Sequence, residues 1–444
     1  MSKLRTLIGY LGGAYVLAVI FFLWGIAAGN SGVFPWRVIE PFYDEVYAAL
    51  TFQETTEKSV ADKFMLHRLQ RRVVHEEAGF HIHDKSFSDD GYLLLSRYDK
   101  ELDGSTVELF SLAEQKILHI WDLPRKEIEK RAKGMRFRQG YPLDSGSFRA
   151  LHPLLMDDGS IVYNAGLPSP LVRSSACGDI IWLSRRNFHH SNELDTEGNI
   201  LSPIIVEGED PTVVPIINDG WAVVSAEDGS VLEEHSVTEL LLENGYRGIV
   251  YGIGNFNRDV IHLNDAQPVL FDTEDAKVGD VLLSSRHLST VALFDHVAGN
   301  FKWLETGPWL NQHDINQLPD GRYSIYGNDV INAGRGIPTY VDPEVSDIYI
   351  YNPHDRSIEQ PYTDVVREHQ IGTPSSGRSR ILDNGDAYIE ATDNGRIVRI
   401  STEGIRWEYM NSISKDTIGL VTWSRYLAAD EIDLQWLEGL SCDN

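Results

Sequence analysis

Between Ile261 and Asp329 the chain places His262, His313 and the tetrapeptide Ser284-Ser285-Arg286-His287 in short stretches of alternating apolar and polar residues. Imidazole supplies a nucleophilic nitrogen and moves protons near neutral pH. A guanidinium presents a planar fork that pairs with two oxygens at once. A histidine nucleophile beside a fixed cation suits transfer or cleavage of a sulfate or phosphate ester. Converging imidazoles are also a zinc-site pattern, but Arg286 would be a poor neighbour for a dication. A Ser–His–Asp hydrolase built on Ser284 or Ser285 with His287 lacks the GxSxG context that exposes such a serine.

The elements that position these residues repeat. His83-Asp84 through Gly91, His190 through Gly198 and His313-Asp314 through Gly321 share one frame, with Gly eight residues after His. His152 to Gly159 fits with one residue deleted, His262 opens a copy with a longer turn, and Gly377 to Gly385 keeps the turn without the histidine. Each copy runs on into a strand-like segment with an aromatic near its end, as in IWDLP at 120–124, IIWLS at 180–184, FKWLE at 301–305 and IRWEY at 405–409. Strand-rich repeats of this kind read as propeller blades of roughly 40–50 residues, some with insertions. The expected fold is therefore all-β, a six-bladed β-propeller over residues 79–444. Its innermost strands would gather His83, His152, His190, His262 and His313 at one end.

Composition narrows the partners. A formal net charge of −27 with no Lys/Arg-rich run excludes a nucleic-acid face. Residues 7–28 are apolar and reach about 33 Å as a helix, enough to cross a bilayer core of roughly 30 Å. Lys3 and Arg5 precede them, which leaves the tip inside and the body outside. Residues 1–29 are thus expected to form a cytoplasmic tip and transmembrane anchor, with the body on the far side of the membrane. Ala27-Ala28-Gly29 offers the competing reading of a cleaved signal peptide. Apolar residues at helical spacing, among them Phe42, Val46, Leu50, Phe64 and Leu69, predict a helical stalk over 30–78. The two cysteines, Cys177 and Cys442, either pair in an oxidising compartment or stay as thiols.

Three ordered motifs carry a resemblance: HLND at His262–Asp265, SSRHLSTVALFD at Ser284–Asp295 and QHDINQLPDG at Gln312–Gly321, with a weaker FHHSNELDTEGNIL at Phe188–Leu201. The chain resembles the bacterial arylsulfate sulfotransferases over roughly residues 80–430. That resemblance implies a metal-free, cofactor-free exchange of a sulfuryl group between an aryl sulfate and a phenolic acceptor. His313 would be the residue transiently sulfurylated, with Arg286, His262 and His190 holding the sulfuryl oxygens. His190 is chosen over His189 from the internal repeat. Asn264, His287 and Asp314, inside the matching motifs, are the candidates for holding the remainder of the substrate. The anchor and stalk stand where the family carries a small N-terminal β-domain, and HLND has Asp where a small hydroxyl residue is common. A ligand-binding propeller without catalysis and a metal-dependent ester hydrolase remain the alternatives.

Overall fold

The computed structural model describes the backbone at 67–69 and residues 77–135, 148–208, 211–252, 258–331, 339–341, 345–414 and 417–442. All of these lie in a compact unit spanning Met65–Asn444. The expected anchor at 7–28 and most of the expected stalk fall outside the described residues. Among the described residues no helix is long and apolar enough to cross a membrane. At the stalk's end His67–Leu69 is a strand, paired antiparallel with Thr417–Gly419. Helical spacing predicts otherwise there; a partner 350 positions away outweighs a local pattern.

Beyond residue 79 the chain folds into antiparallel sheets whose strands bond in chain order. Leu263–Pro268, Val281–Ser285, Thr290–Asp295 and Asn300–Thr306 form one of them. Val281–Ser285 is buried along its whole length, because neighbouring sheets cover both its faces. The period-2 alternation of a strand divides its apolar residues between them. Val281 and Leu283 pack with Trp221 and Phe294 on one side, and Leu282 with Ile315 and Tyr323 on the other.

Equivalent sheets start at Asp314–Gln317 and at Arg378–Ile381. A further one is completed from the far end of the chain, where Arg425–Leu427 pairs with Tyr92–Leu94. Reciprocally, Gly79–Ile82 adds to the outermost strand Ile405–Met410. The two chain ends thus interlock neighbouring sheets and close the arrangement.

The outcome is an all-β, propeller-like architecture with few and short helices, but the blade count differs from the six expected. Four separate four- or five-stranded sheets are present, and an eight-stranded sheet runs from Leu151 to Ser236. Its two halves join through one pair, Phe188 with Ile204, so strands expected as separate blades are continuous. The aromatic signal of each repeat does mark outer strands: the Trp121 and Trp182 indoles donate to the carbonyls of Gly159 and Ala226 in the next repeat, both at 2.9 Å. Gly198 and Gly321 take φ of 81° and 84°, the left-handed turn that their spacing after His190 and His313 calls for. Cys177 and Cys442 are joined as a disulfide, tying the C-terminal segment to the body.

Candidate active site

Left-handed backbone marks the inner ends of the sheets. His152, His190, His262, Asn311, Ser376 and Trp423 have φ between 49° and 61°, a conformation that costs a non-glycine residue of order 1–3 kcal/mol. The series corrects the repeat frame. Asp265 follows His262 by three residues and accepts the Ile315 N–H, while Asp314 follows Asn311 by three and accepts the Ser379 N–H. The backbone counterpart of His262 is therefore Asn311, and His313 lies two residues further along the same face. His83 does not join the ring: it follows the added outer strand Gly79–Ile82 and bonds Glu408 at 2.9 Å.

Three of the expected histidines do converge. The His190 ring centroid lies 5.4 Å from His262 and 6.3 Å from His313. Trp423 closes the other side at 5.7 Å from His190. His313 is buried and its Nδ1–H donates to Asn328 Oδ1 at 2.5 Å and to the Asn311 carbonyl at 3.1 Å. That assigns the tautomer: Nε2 carries the lone pair and accepts the Ser376 N–H at 3.1 Å. Burial first, then the Arg286 charge, holds the His313 imidazole well below its usual range, so it stays neutral and nucleophilic near pH 7. His190 is likewise pushed far down by burial and then by His189, His262, His313 and Arg286.

Arg286 is buried, its Nε without a partner. Its Nη1 donates to His287 Nε2 at 3.3 Å. His287 Nδ1 donates to the Asp259 carbonyl at 2.6 Å, and the Asp259 carboxylate accepts from His262 Nδ1 at 2.6 Å. One aspartate thus orients two imidazoles. Burial would raise the Asp259 carboxyl, but the charge and hydrogen bond of His262 outweigh it and bring the group to about 2. His287 is driven to about 4 by burial and by the neighbouring His262. Asp259 was not a candidate on sequence; its position three residues before His262 was the available signal. Trp423 reaches the site from a distant part of the chain and Asn328 from just beyond Tyr323–Gly327, the strand paired with the one that follows His313; neither left a local signal.

The remaining candidates fall on either side of this cluster. Asn264 donates to the Gln312 carbonyl at 2.8 Å and leaves a buried Oδ1 unpartnered. The Asp314 carboxylate is committed to Ser379 N–H at 2.9 Å and Asn316 Nδ2 at 2.8 Å, joining neighbouring sheets. His189 Nδ1 and His190 Nδ1 share a hydrogen bond of 2.8 Å, with Asp219 Oδ1 3.5 Å from His189 Nε2. His152 accepts from Arg425 Nη2 at 3.0 Å, a structural use of a repeat histidine. Asp259, His262 and His287 bring three ligand-type atoms within 4.8 Å of one another, so a metal would fit their donor types.

The arylsulfotransferase (ASST) family profile matches residues 152–412, which contain His190, His262, Arg286, His287 and His313. The chain belongs to the arylsulfotransferase family. Membership in it supports transferase activity of the arylsulfotransferase type. No curated protein matches the chain. Solved structures similar to it include a protein of unknown function from Bacteroides caccae, with 12% identity, TM-score 0.48, and coverage of 76% of this chain and 99% of that one. The C-terminal WD40 domain of Sif2 has 10% identity and TM-score 0.38, covering 79% and 91%. Virginiamycin B lyase from Staphylococcus aureus has 9% identity and TM-score 0.34, covering 60% and 71%. At such scores these likenesses carry no argument.

Proposed function

We propose that the protein moves a sulfuryl group from an aryl sulfate to a phenolic acceptor, without a metal, through a sulfohistidine at His313. The observation that carries this reading is the neutral His313, its Nε2 lone pair fixed by the Nδ1–H bond to Asn328, beside an Arg286 whose Nε is buried without a hydrogen-bond partner. In the first step Nε2 forms a bond to sulfur while the sulfur–aryl oxygen bond breaks and its electron pair leaves on the phenolate. That oxygen takes a proton from His262, whose Nδ1 is held by the Asp259 carboxylate. In the second step the acceptor phenol gives its proton to the same histidine, its oxygen bonds sulfur, and the nitrogen–sulfur bond breaks to restore the lone pair.

Negative charge on the sulfuryl oxygens is met by Arg286, His262 and His190, with Asn264 and His287 holding the ligand beyond. Ser376 N–H competes for the Nε2 lone pair in the resting site. As sulfur arrives it turns to a sulfuryl oxygen, exchanging one acceptor for another. We count the eight-stranded sheet as two blades joined at Phe188 and Ile204, which gives the ring six. The body acts outside the inner membrane, held by an anchor at 7–28; the Cys177–Cys442 disulfide supports an oxidising compartment.

A second reading, a metallohydrolase, rests on the Asp259, His262 and His287 grouping. The Arg286 guanidinium 3.3 Å from His287 disfavours a dication there by like charge. The deciding experiment is nitrophenol release from nitrophenyl sulfate, with and without phenol, in the presence of chelator. Release that needs phenol and survives chelation is expected; chelator-sensitive release without phenol would establish the hydrolase instead.

A further inference from the structure

Away from the inner strands, a second histidine cluster lies on the outside of the molecule. Glu233 and His235 are two residues apart on the outer strand Val231–Ser236 and so project from one face. His296 comes from the turn after Thr290–Asp295 of the neighbouring sheet. Both imidazoles aim Nε2 at the same carboxylate oxygen: Glu233 Oε2 is 3.5 Å from His235 Nε2 and 3.3 Å from His296 Nε2. The three ligand atoms all lie within 4.8 Å of one another.

Bonds of about 2.0–2.1 Å at tetrahedral angles put ligand atoms about 3.3–3.4 Å apart, close to the separation of Glu233 Oε2 from each imidazole nitrogen. The donors are also held in place. His235 stacks on the buried Trp221 at 4.9 Å and 23°. The turn bearing His296 is closed by the Gly299 N–H to the Asp295 carbonyl and by the Ala298 N–H to Asp295 Oδ1, each 2.8 Å. Asn244 Nδ2 pins the same turn through the Gly299 carbonyl at 3.3 Å. Beneath the cluster Trp221 meets Phe294 at 5.4 Å, so the site sits over the seam between two sheets.

We infer that Glu233, His235 and His296 form a site for a zinc-class dication that staples these two sheets from outside. Two imidazole nitrogens with one carboxylate oxygen are a donor set that Zn²⁺, a borderline cation, accepts, and the half-exposed position leaves a fourth place for water. Because the ligands come from two sheets, binding stabilises the folded chain by mass action. The site takes no part in sulfuryl transfer, and chelator in the nitrophenol assay strips it without stopping the reaction.

The test is zinc titration of the full chain after chelator dialysis, with the thermal midpoint followed in parallel. Wild type is expected to bind zinc at this site and unfold at a higher temperature with it. His296→Ala, in an exposed turn, should weaken that binding by at least about ten-fold and lose the thermal gain. His262→Ala, which breaks the only other such grouping among the described residues, should keep both. Absence of saturable zinc binding in wild type, or binding that survives His296→Ala and fails in His262→Ala, would overturn the assignment.

Discussion

The same inner strands carry two polar regions with opposite habits. At one end, among His190, His262, His313 and Arg286, a donor is left unspent: Arg286 Nε is buried without a partner. One to three residues along, Glu193, Asp265 and Asp314 meet Arg378 and Arg425 in a band where charges are matched. Glu193 bonds Arg425 at 2.8 Å and approaches Arg378 at 3.5 Å. Asp265 and Asp314 each take a backbone N–H from the next sheet at 3.0 and 2.9 Å. The ion-paired band holds a ring together even though Arg378 Nη1 is buried there without a partner, whereas the open Arg286 Nε donor invites an anion. Burial alone does not separate structure from chemistry; the kind of partner a buried charge has is the better guide.

The largest effect expected from breaking this contrast is at His313. His313→Asn retains a group able to bond Asn328 but has no nucleophilic Nε2. Sulfuryl transfer should fall by at least about 10³-fold with the unfolding midpoint little changed. Steady-state release of nitrophenol and a denaturant melt read the two quantities. Turnover that persists would place the nucleophile elsewhere and remove the functional meaning of the unsaturated end.

Glu193→Gln should do the reverse. Arg378 and Arg425 would face each other with less than their compensation, and removing one partner of a buried ion network costs about 3–5 kcal/mol. Urea unfolding should show that loss, while the rate per folded molecule stays near wild type. A variant of normal stability and damaged turnover would mean that the band belongs to the reaction.

How far this contrast could be read in advance depended on the range of each interaction. Glycine turns and outer-strand tryptophans follow local rules, so the repeat was legible and the propeller-like sheets followed. His190, His262 and His313 were legible as partners because they recur in one frame. Their offset was not: a left-handed step at His262 and Asn311 is invisible when Asn replaces His, and the matching letters aligned His262 with His313. Glu193 with Arg425 joins residues far apart in sequence, while Asn328 meets His313 across a hairpin whose register the turn residues alone do not give; periodicity has no term for either. The same limit misled the stalk, where His67–Leu69 answers to Thr417–Gly419 rather than to its apolar neighbours. Cys177 and Cys442 could be named as a pair but not decided, since nothing local brings their ends together.

A last contrast sets the two regions against each other by sign. At the unsaturated end burial drives His287 to about 4, while an unfolded histidine titrates near 6.5. Between those values the unfolded chain binds more protons, so this group's contribution to stability is present above about 6.5 and is lost as the pH falls towards about 4. In the ion-paired band burial, Asp314 and Glu193 push Asp265 up to about 8, against about 3.9 unfolded. Here the native chain binds more protons, so the contribution is present below about 3.9 and is lost as the pH rises through about 8. Differences from neutral mimics isolate each group from the rest of the molecule. Wild type measured against His287→Gln should lose relative stability on acidification from about pH 6.5, and against Asp265→Asn it should lose it on the way up to about pH 8. Denaturant midpoints taken every half unit of pH decide the matter. Slopes of one sign in both series would show that the two regions share a single electrostatic environment, and the division between a structural band and a reactive end would fail.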